Sequence, residues 1–205
     1  MAFLSTPAMP LLSLAALAIV AATVPALAAP PDPAPSKWVK VCETDEGKQV
    51  CTVMQRLVGP GGDLVASVSV RQTPGSPKVQ FIVSMPLGLS IKPGLFVQID
   101  DKVKLPLKFG ICLPAGCYAE IGSDQTLVNA LKNGGGLTIV AASRTGKPVA
   151  LPITLAGFTK AFDGKGLDMA TAKSKFAELA KLDIADAQAK LAKFKEAKAQ
   201  TKATE

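Results

Sequence analysis

Four cysteines in two close pairs are the residues whose type and spacing most clearly indicate chemistry in this chain. Cys42 and Cys51 have eight residues between them, and Cys112 and Cys117 have four. In an oxidising compartment such pairs form structural disulfides. Four cysteines allow three connectivities, and spacing alone does not select one. We favour local pairing, because each first cysteine ends a strand-like run and its neighbour follows a turn. Each of the two small loops would then contribute about 2–3 kcal/mol.

Zinc binding and thiol exchange are the two alternative roles for these cysteines. The spacing of Cys112 and Cys117 is at the limit for a zinc site, that of Cys42 and Cys51 exceeds it, and the chain has no histidine to serve as a ligand. Thiol exchange favours a C-x-x-C pair at the start of a helix, a context that neither pair has. The sequence therefore predicts structural disulfides, with no metal and no cofactor.

Catalytic groups of the usual kinds are missing from the sequence. The chain contains no histidine, which excludes Ser-His-acid and Cys-His catalysis. Asp100 and Asp101 are adjacent and would point to opposite faces of an extended chain, so they make a poor acid–base pair. Asp124 is better explained as the cap of a helix. We therefore expect no catalytic residues and no enzymatic activity.

Four lysines are the remaining candidates for binding. Lys102, Lys104 and Lys108 share parity, so on an extended chain they project from one face, with Lys92 nearby. Such a basic surface weakly attracts anionic lipid, polysaccharide or a host-cell surface. The alternative, which we favour, is an edge strand whose lysines block pairing with other sheets. Nucleic acid is not an expected partner, because aromatic residues make up only 5% of the chain and form no stacking platform.

The first residues have the order of a secretory signal. Residues 1–28 contain no charged side chain, and the apolar run from Leu11 to Val24 precedes the small-residue site Ala26-Leu27-Ala28. The run is shorter than the about 20 residues needed to cross a bilayer. We therefore expect cleavage after Ala28 and no transmembrane segment in the mature protein. Residues 29–36 are rich in proline and predict an extended linker.

Residues 37–166 have the pattern of a β-rich domain. Short runs of β-type residues are separated by turns that contain glycine and proline. The runs are 38–42, 50–54, 64–71, 79–84, 95–100, 137–142 and 149–155. One short helix is expected between a cap at Ser123 or Asp124 and a stop at Gly134. Pro106 and Pro152 fall within strand-like runs and favour edges or bulges at those points. This organisation predicts an antiparallel sandwich or barrel.

Residues 167–205 differ from the rest of the chain. They are rich in alanine and lysine and contain neither glycine nor proline. An apolar stripe recurs at spacings of three and four, formed by Ala177, Ala180, Ile184, Ala187, Leu191 and Phe194. Asp168 is placed to cap the start of this helix. We expect a helical, partly flexible tail, for which packing on the β domain and partial disorder both remain open.

A set of short motifs occurs in a characteristic order between Trp38 and about Asp163. They are Trp38 followed by Cys42; Cys51 followed by Gln55; Met85-Pro86-Leu87-Gly88-Leu89 leading to Pro93-Gly94 and Val97-Gln98-Ile99-Asp100; Cys112 and Gly116-Cys117; Leu131-Lys132-Asn133-Gly134; and Gly157-Phe158-Thr159-Lys160-Ala161-Phe162. In the order and spacing of these motifs, the chain resembles the invasion-associated locus B family of exported Gram-negative proteins. The tail after Gly166 departs from that pattern, so nothing about the tail carries over.

The resemblance implies an immunoglobulin-like sandwich and a periplasmic or outer-envelope location, without an established enzymatic activity. The expected fold is thus all-β, an immunoglobulin-like antiparallel β-sandwich with one short internal helix and a C-terminal Ala/Lys-rich helical tail. The expected function is that of an exported interaction protein that contributes to host-cell attachment or invasion by binding an unknown envelope or host-surface protein. The alternative is a periplasmic housekeeping or chaperone-like module that binds exposed strands at an edge of the sandwich.

Overall fold

The computed structural model describes residues 36–203, which form nine strands and three helices. In chain order these are β1 (Val39–Asp45), β2 (Lys48–Val58), β3 (Leu64–Gln72), β4 (Val79–Met85), β5 (Leu95–Ile99), β6 (Val103–Leu113), β7 (Gly116–Ser123), α1 (Gln125–Asn133), β8 (Gly136–Ala142), β9 (Pro148–Thr154), α2 (Phe158–Asp163) and α3 (Met169–Ala203). The expected signal peptide and residues 29–35 of the expected linker lie outside the described residues. No helix in the described part of the chain is both long enough and apolar enough to span a membrane.

The strands form one continuous antiparallel sheet in the order β1-β2-β3-β4-β7-β6-β5-β8-β9. Its two halves share a single hydrophobic core, to which β2, β3 and β4 contribute from one side and β5, β8 and β9 from the other. Apolar side chains alternate with exposed ones along most strands, as a sheet with one buried face requires. The predicted all-β, sandwich-like architecture with a C-terminal helix is confirmed.

Strand β6 connects the two halves of the sandwich. Its first half, 103–107, pairs with β5, and its second half, 108–113, pairs with β7, with a register shift between Phe109 and Ile111. Pro106 lies in the first half of β6, which pairs only with β5, and Pro152 lies in the edge strand β9. Because proline has no N–H to donate, both positions suit it, as the sequence predicted.

The edges of the folded sheet meet through Trp38, which directly precedes β1. Its indole Nε1 donates to the carbonyl oxygen of Thr154 at the end of β9, 2.9 Å away. The indole also packs edge-on against Phe158 of α2, with 4.9 Å between ring centroids. Trp38 and Phe158 are both buried. This contact closes the sandwich on the side where the sheet has its two ends.

Helix α1 has the ends that the sequence predicted. The Asp124 carboxylate accepts from the backbone N–H of Thr126 at 2.8 Å, which satisfies one of the free N–H groups of the first turn. Leu127, Val128 and Leu131 are buried, and Gly134 follows the last helical residue. The sequence predicted one internal helix, and the structure has a second, α2, which is preceded by Gly157 with φ = 83°. Six residues are too short a stretch to show helical periodicity in a sequence.

Helix α3 begins where expected but docks with a different face. Asp168 accepts from the backbone N–H of Thr171 at 3.0 Å and so caps the helix. The buried positions of α3 are Ala172, Leu179 and Asp183. The expected stripe is therefore partly wrong: Ala180, Ile184 and Ala187 are half-buried, whereas Ala177, Leu191 and Phe194 are exposed. The helix is in contact with the sheet only up to about Gln188, which donates to the Pro60 carbonyl at 3.2 Å.

The segment before α3 fixes the helix to the edge strand β1. Leu167 forms a parallel bridge with Val41. The Cys42 N–H donates to the Leu167 carbonyl at 3.1 Å, and the Leu167 N–H donates to the Lys40 carbonyl at 2.8 Å. Part of the β1 edge is thereby covered by the chain itself, which removes donors and acceptors that would otherwise be open to other strands.

Candidate functional site

Two disulfides, Cys42–Cys51 and Cys112–Cys117, each join directly opposed residues of a β-hairpin. The first links β1 to β2 with 4.1 Å between Cα atoms, and the second links β6 to β7 with 3.9 Å. Both have the local connectivity, and the chain has no free cysteine. Two disulfides fit an exported protein, because such bonds persist in oxidising compartments.

The acidic residues considered for catalysis hold structural hydrogen bonds instead. The Asp100 carboxylate accepts from the backbone N–H groups of Gly135, at 3.2 Å, and Gly136, at 3.0 Å, and so ties the turn after β5 to the start of β8. Asp101 accepts from the Gln98 amide. The pKa of the Asp124 carboxyl is lowered by the hydrogen bond from the Thr126 backbone N–H and then by that from the Thr126 side chain. Among the residues that the structure describes, no three His, Cys, Asp or Glu side chains form a metal-binding group.

The four candidate lysines are exposed but are spread over the length of β6. Lys104 and Lys108 lie on its outer face, and the Lys104 ammonium is 4.0 Å from the ring centroid of Phe96 on β5. Lys102 lies in the β5–β6 turn beside Asp101, whereas Lys108 lies in the middle of β6, where the strand changes partner from β5 to β7. Six residues of strand place these two lysines about 20 Å apart. Only Lys92 and Lys108 belong to the same end of the sandwich.

A cleft of about 810 Å³ separates α3 from the outer face of β1 and β2. Its apolar lining comes from both walls and includes Met54, Val58 and Leu64 on the sheet side and Phe176 and Leu179 on the helix side. Clefts of this size and character are typical of sites that bind small or extended apolar groups. The sequence analysis missed it, although Val39 and Val41 gave a signal. Val39 and Val41 lie on the face of β1 opposite to Trp38 and Lys40, so this outer face is apolar at the start of the strand and needs a covering element.

Charged groups flank this cleft. Asp183 of α3 is only 4% exposed and forms an ion pair with the Lys37 ammonium, which fixes the middle of the helix to the start of β1. On β2, the Arg56 guanidinium lies 5.4 Å from the ring centroid of Phe176. Both contacts join α3 to the sheet. The arrangement offers apolar surface with charged side chains at its margin for binding.

Comparisons with known proteins agree with this architecture. A profile of the family described as "Invasion associated locus B (IalB) protein" matches residues 38–166. Two proteins of Brucella abortus, the invasion protein B homologs of strain 2308 and of biovar 1 strain 9-941, are each 31% identical to this chain over 153 residues. In both cases the match covers 74% of this chain and 88% of the relative.

A solved structure gives the same result. The crystal structure of invasion associated protein b from Bartonella henselae superimposes with a TM-score of 0.57 at 27% sequence identity. The match covers 62% of this chain and 88% of the Bartonella chain. The family profile ends at residue 166, before α3 begins, so one wall of the cleft lies outside the matched region.

Proposed function

Since this chain belongs to the invasion associated locus B family, we propose that it is a non-catalytic, exported envelope protein that contributes to host-cell attachment or invasion through surface contacts. The observation that carries the proposal is the family match over residues 38–166, which spans the whole β-sandwich. The Brucella and Bartonella relatives are named as invasion proteins, and the match covers 88% of each.

Export is supported by the chemistry of the cysteines. Both disulfides join neighbouring strands, so they require oxidising conditions and stabilise the sheet where they form. The apolar run before Ala26-Leu27-Ala28 supports the same conclusion from the sequence. We place the mature protein in the periplasm or on the outer envelope.

A non-catalytic role is supported by how the acidic groups are used. Asp100 and Asp124 bind backbone N–H groups, and Glu120 accepts from the Gln80 amide at 2.9 Å. Each of these carboxylates has a structural partner, so its position is explained by the fold without a catalytic role. The cleft beside α3 suits binding by its apolar lining.

The edges of the sheet argue against a chaperone-like module that adds strands. At β1, Leu167 already occupies part of the edge by two backbone hydrogen bonds. At β9, Pro148 and Pro152 carry no N–H, so a strand added there would lose ladder hydrogen bonds. A binding mode based on main-chain pairing therefore has few free groups to use.

Deleting the gene and measuring host-cell entry together with envelope permeability tests the proposal. The expected result is reduced entry or adhesion at unchanged permeability, restored by the wild-type gene. Labelling of intact cells should also reach the protein if it acts at the surface. Normal entry, or an entry defect that occurs only together with a leaky envelope, would contradict the attachment role.

A further inference from the structure

The large apolar side chains that the described residues expose fall into two groups, and one of them occupies a single end of the sandwich. It consists of Leu87 and Ile91 in the β4–β5 loop and Ile111 and Leu113 near the turn of the β6–β7 hairpin. Between 44% and 58% of each residue is exposed. We call these four residues the apolar tip. Soluble proteins seldom expose several large apolar side chains together without a binding role.

The backbone brings the loop and the hairpin together. The loop leaves β4 at Met85, which pairs with Cys117 beside the hairpin turn. It ends at Gly94, whose backbone lies so close to the Leu107 carbonyl oxygen that a side chain would not fit there. The loop thus begins and ends against the hairpin. The apolar tip is therefore formed by two chain segments that are fixed to each other by backbone contacts.

Positive charge flanks the apolar tip, and the segments that form it contain no acidic residue, although Glu120 of β7 lies opposite Lys108. Lys92 and Lys108 come from the loop and from β6, and Arg144 and Lys147 come from the adjoining β8–β9 turn; all four are exposed. That turn is attached to the loop by the Ser90 N–H, which donates to the Ala142 carbonyl at 2.9 Å. Segments 85–95, 106–117 and 142–148 contain no aspartate or glutamate.

The part of α3 that follows Gln188 extends from the same end of the molecule. Ile184 lies against Gly62 in the β2–β3 turn, and the Ser67–Ser84 pair aligns the start of β3 with the end of β4. After Gln188 the helix leaves the sheet and exposes Leu191 and Phe194. Residues 189–203 include five lysines and one glutamate. At 1.5 Å per residue, this segment is about 22 Å long.

We propose that this end of the molecule binds the surface of an anionic lipid bilayer. The apolar tip enters the interfacial region, while Lys92, Lys108, Arg144 and Lys147 remain at the level of the charged headgroups. Membrane-surface proteins combine apolar and basic groups in this way, and each added cation strengthens binding to anionic lipid. A protein partner fits less well, because protein interfaces are depleted of lysine and favour aromatic anchors. The inference goes beyond the proposed role in attachment and does not depend on it.

Vesicle flotation with the exported, disulfide-bonded protein tests the inference. The probes are vesicles of phosphatidylcholine alone and vesicles of phosphatidylcholine mixed with phosphatidylglycerol. We expect binding to the mixed vesicles to be at least about tenfold stronger and to weaken with added salt, as screened electrostatic attraction requires. Equal binding to both kinds of vesicle, or binding to neither, would overturn the inference.

Charge variants separate a local effect from the net charge of the protein. The double variant Lys92→Gln with Lys108→Gln is expected to weaken binding to mixed vesicles by roughly tenfold or more. The control is Lys48→Gln with Lys78→Gln, an equal loss of charge from exposed positions at the other end of the sandwich. The control should stay within about twofold of the wild type, because its charges are more than a Debye length from the tip. Equal losses in both variants would refute a localised docking surface.

Apolar variants test the second half of the inference. Leu87→Ser with Leu113→Ser should weaken binding, whereas Met169→Ser with Leu182→Ser, which removes two exposed apolar side chains elsewhere, should not. An unchanged thermal midpoint verifies the fold of each variant. If Leu87→Ser with Leu113→Ser proves unstable, the Lys92→Gln with Lys108→Gln variant decides the test instead. Crosslinking of the tip to an envelope protein, without vesicle binding, would show that the surface serves a protein partner and would overturn the proposal.

Discussion

Asp183 and Lys37 show at the residue scale how a polar pair secures a helix to a sheet. The Asp183 carboxylate is buried among the apolar contacts of α3, where an unpartnered charge would be costly. The Lys37 ammonium compensates it and remains partly exposed, so the pair keeps some contact with water. The pair therefore specifies which face of α3 meets the sheet.

Removing one member of this pair should cost more than removing both. Lys37→Met leaves the buried carboxylate without a partner and is expected to lower the free energy of unfolding by roughly 1–3 kcal/mol. Lys37→Met combined with Asp183→Leu should recover most of that loss, because both charges are then gone. Urea denaturation followed by circular dichroism measures Lys37→Met, Asp183→Leu and the double variant. Strictly additive losses in the double variant would show that the two residues do not interact.

Trp38 carries the contact that joins the two edges of the sheet. Trp38→Phe keeps an aromatic ring beside Phe158 but removes the indole N–H that donates to Thr154. We expect a loss of about 1–3 kcal/mol, from the hydrogen bond and the space left by the smaller ring. Thermal unfolding measures it, with the exposed Phe194→Leu as a control of little effect. Equal stability of Trp38→Phe and the wild type would mean that Phe158 alone closes the sandwich.

At the scale of elements, the start of α3 should respond to acid. A hydrogen bond from the Thr171 backbone N–H, followed by one from the Thr171 side chain, lowers the pKa of Asp168. Because the folded-state pKa lies below the unfolded value of about 3.9, the ionised cap stabilises the helix fully above that pH. The stabilisation is lost as the pH falls through the lower, folded-state value.

The amide resonances of Thr171 and Ala172 report this transition by nuclear magnetic resonance. In the wild type they should shift below about pH 4, as the protonated carboxyl ceases to accept. Asp168→Asn keeps a capping oxygen without a titrating charge, so its first turn should form at all these pH values. Asp186→Asn is the matched control on the exposed side of α3, where the Lys190 ammonium lowers the pKa of the native carboxyl. A pH response that persists in Asp168→Asn would exclude the cap as its source.

Most strands were predictable because one face of each is buried, whereas β7 was not predicted and only the first half of β6, around Lys104 and Pro106, was interpreted as a strand. Strand β6 changes partner near Leu107 and has a register shift after Phe109, so its alternation breaks in the middle. Gly110 and Gly116 also resemble turn residues in the sequence. Periodicity within a segment cannot reveal that a strand passes from one half of a sandwich to the other, because that depends on partners distant in the chain.

The docking face of α3 was mispredicted for a related reason. Sequence periodicity selected the stripe that contains Leu191 and Phe194, which are apolar but lie beyond the sheet. The helix instead buries Asp183, because Lys37, just before β1, compensates its charge. The cleft was missed for the same reason: Val39 and Val41 indicate that β1 needs a cover, but the cleft itself exists only once α3 has docked. The disulfide pairing, in contrast, was accessible from sequence, because each pair flanks a short turn.

At the scale of the whole molecule, α3 belongs to the folded unit although the family profile ends before it. The outer face of β1 presents Val39 and Val41, which are buried only because Ala172 and Leu179 cover them. The helix therefore acts as a second layer over one edge of the sandwich up to Gln188. Beyond that residue it makes no buried contact among the side chains that the structure describes.

Two truncations should separate these two parts of α3. Among the side chains that the structure describes, ending the chain after Gln188 removes only exposed ones, so it should leave the urea midpoint of the β-sandwich unchanged. Ending it after Gly166 exposes Val39 and Val41 and should lower the free energy of unfolding by at least about 2 kcal/mol, the value of burying one leucine such as Leu179. Trp38 fluorescence follows both transitions, because the indole lies in the core and not under α3.

Equal stability of the two truncated proteins would mean that the sandwich folds without its helical cover and that the cleft does not contribute to the stability of the sheet. A loss of stability only in the protein that ends at Gly166 would show that α3 is part of the core. A molecule bound in the cleft would then also stabilise the sheet.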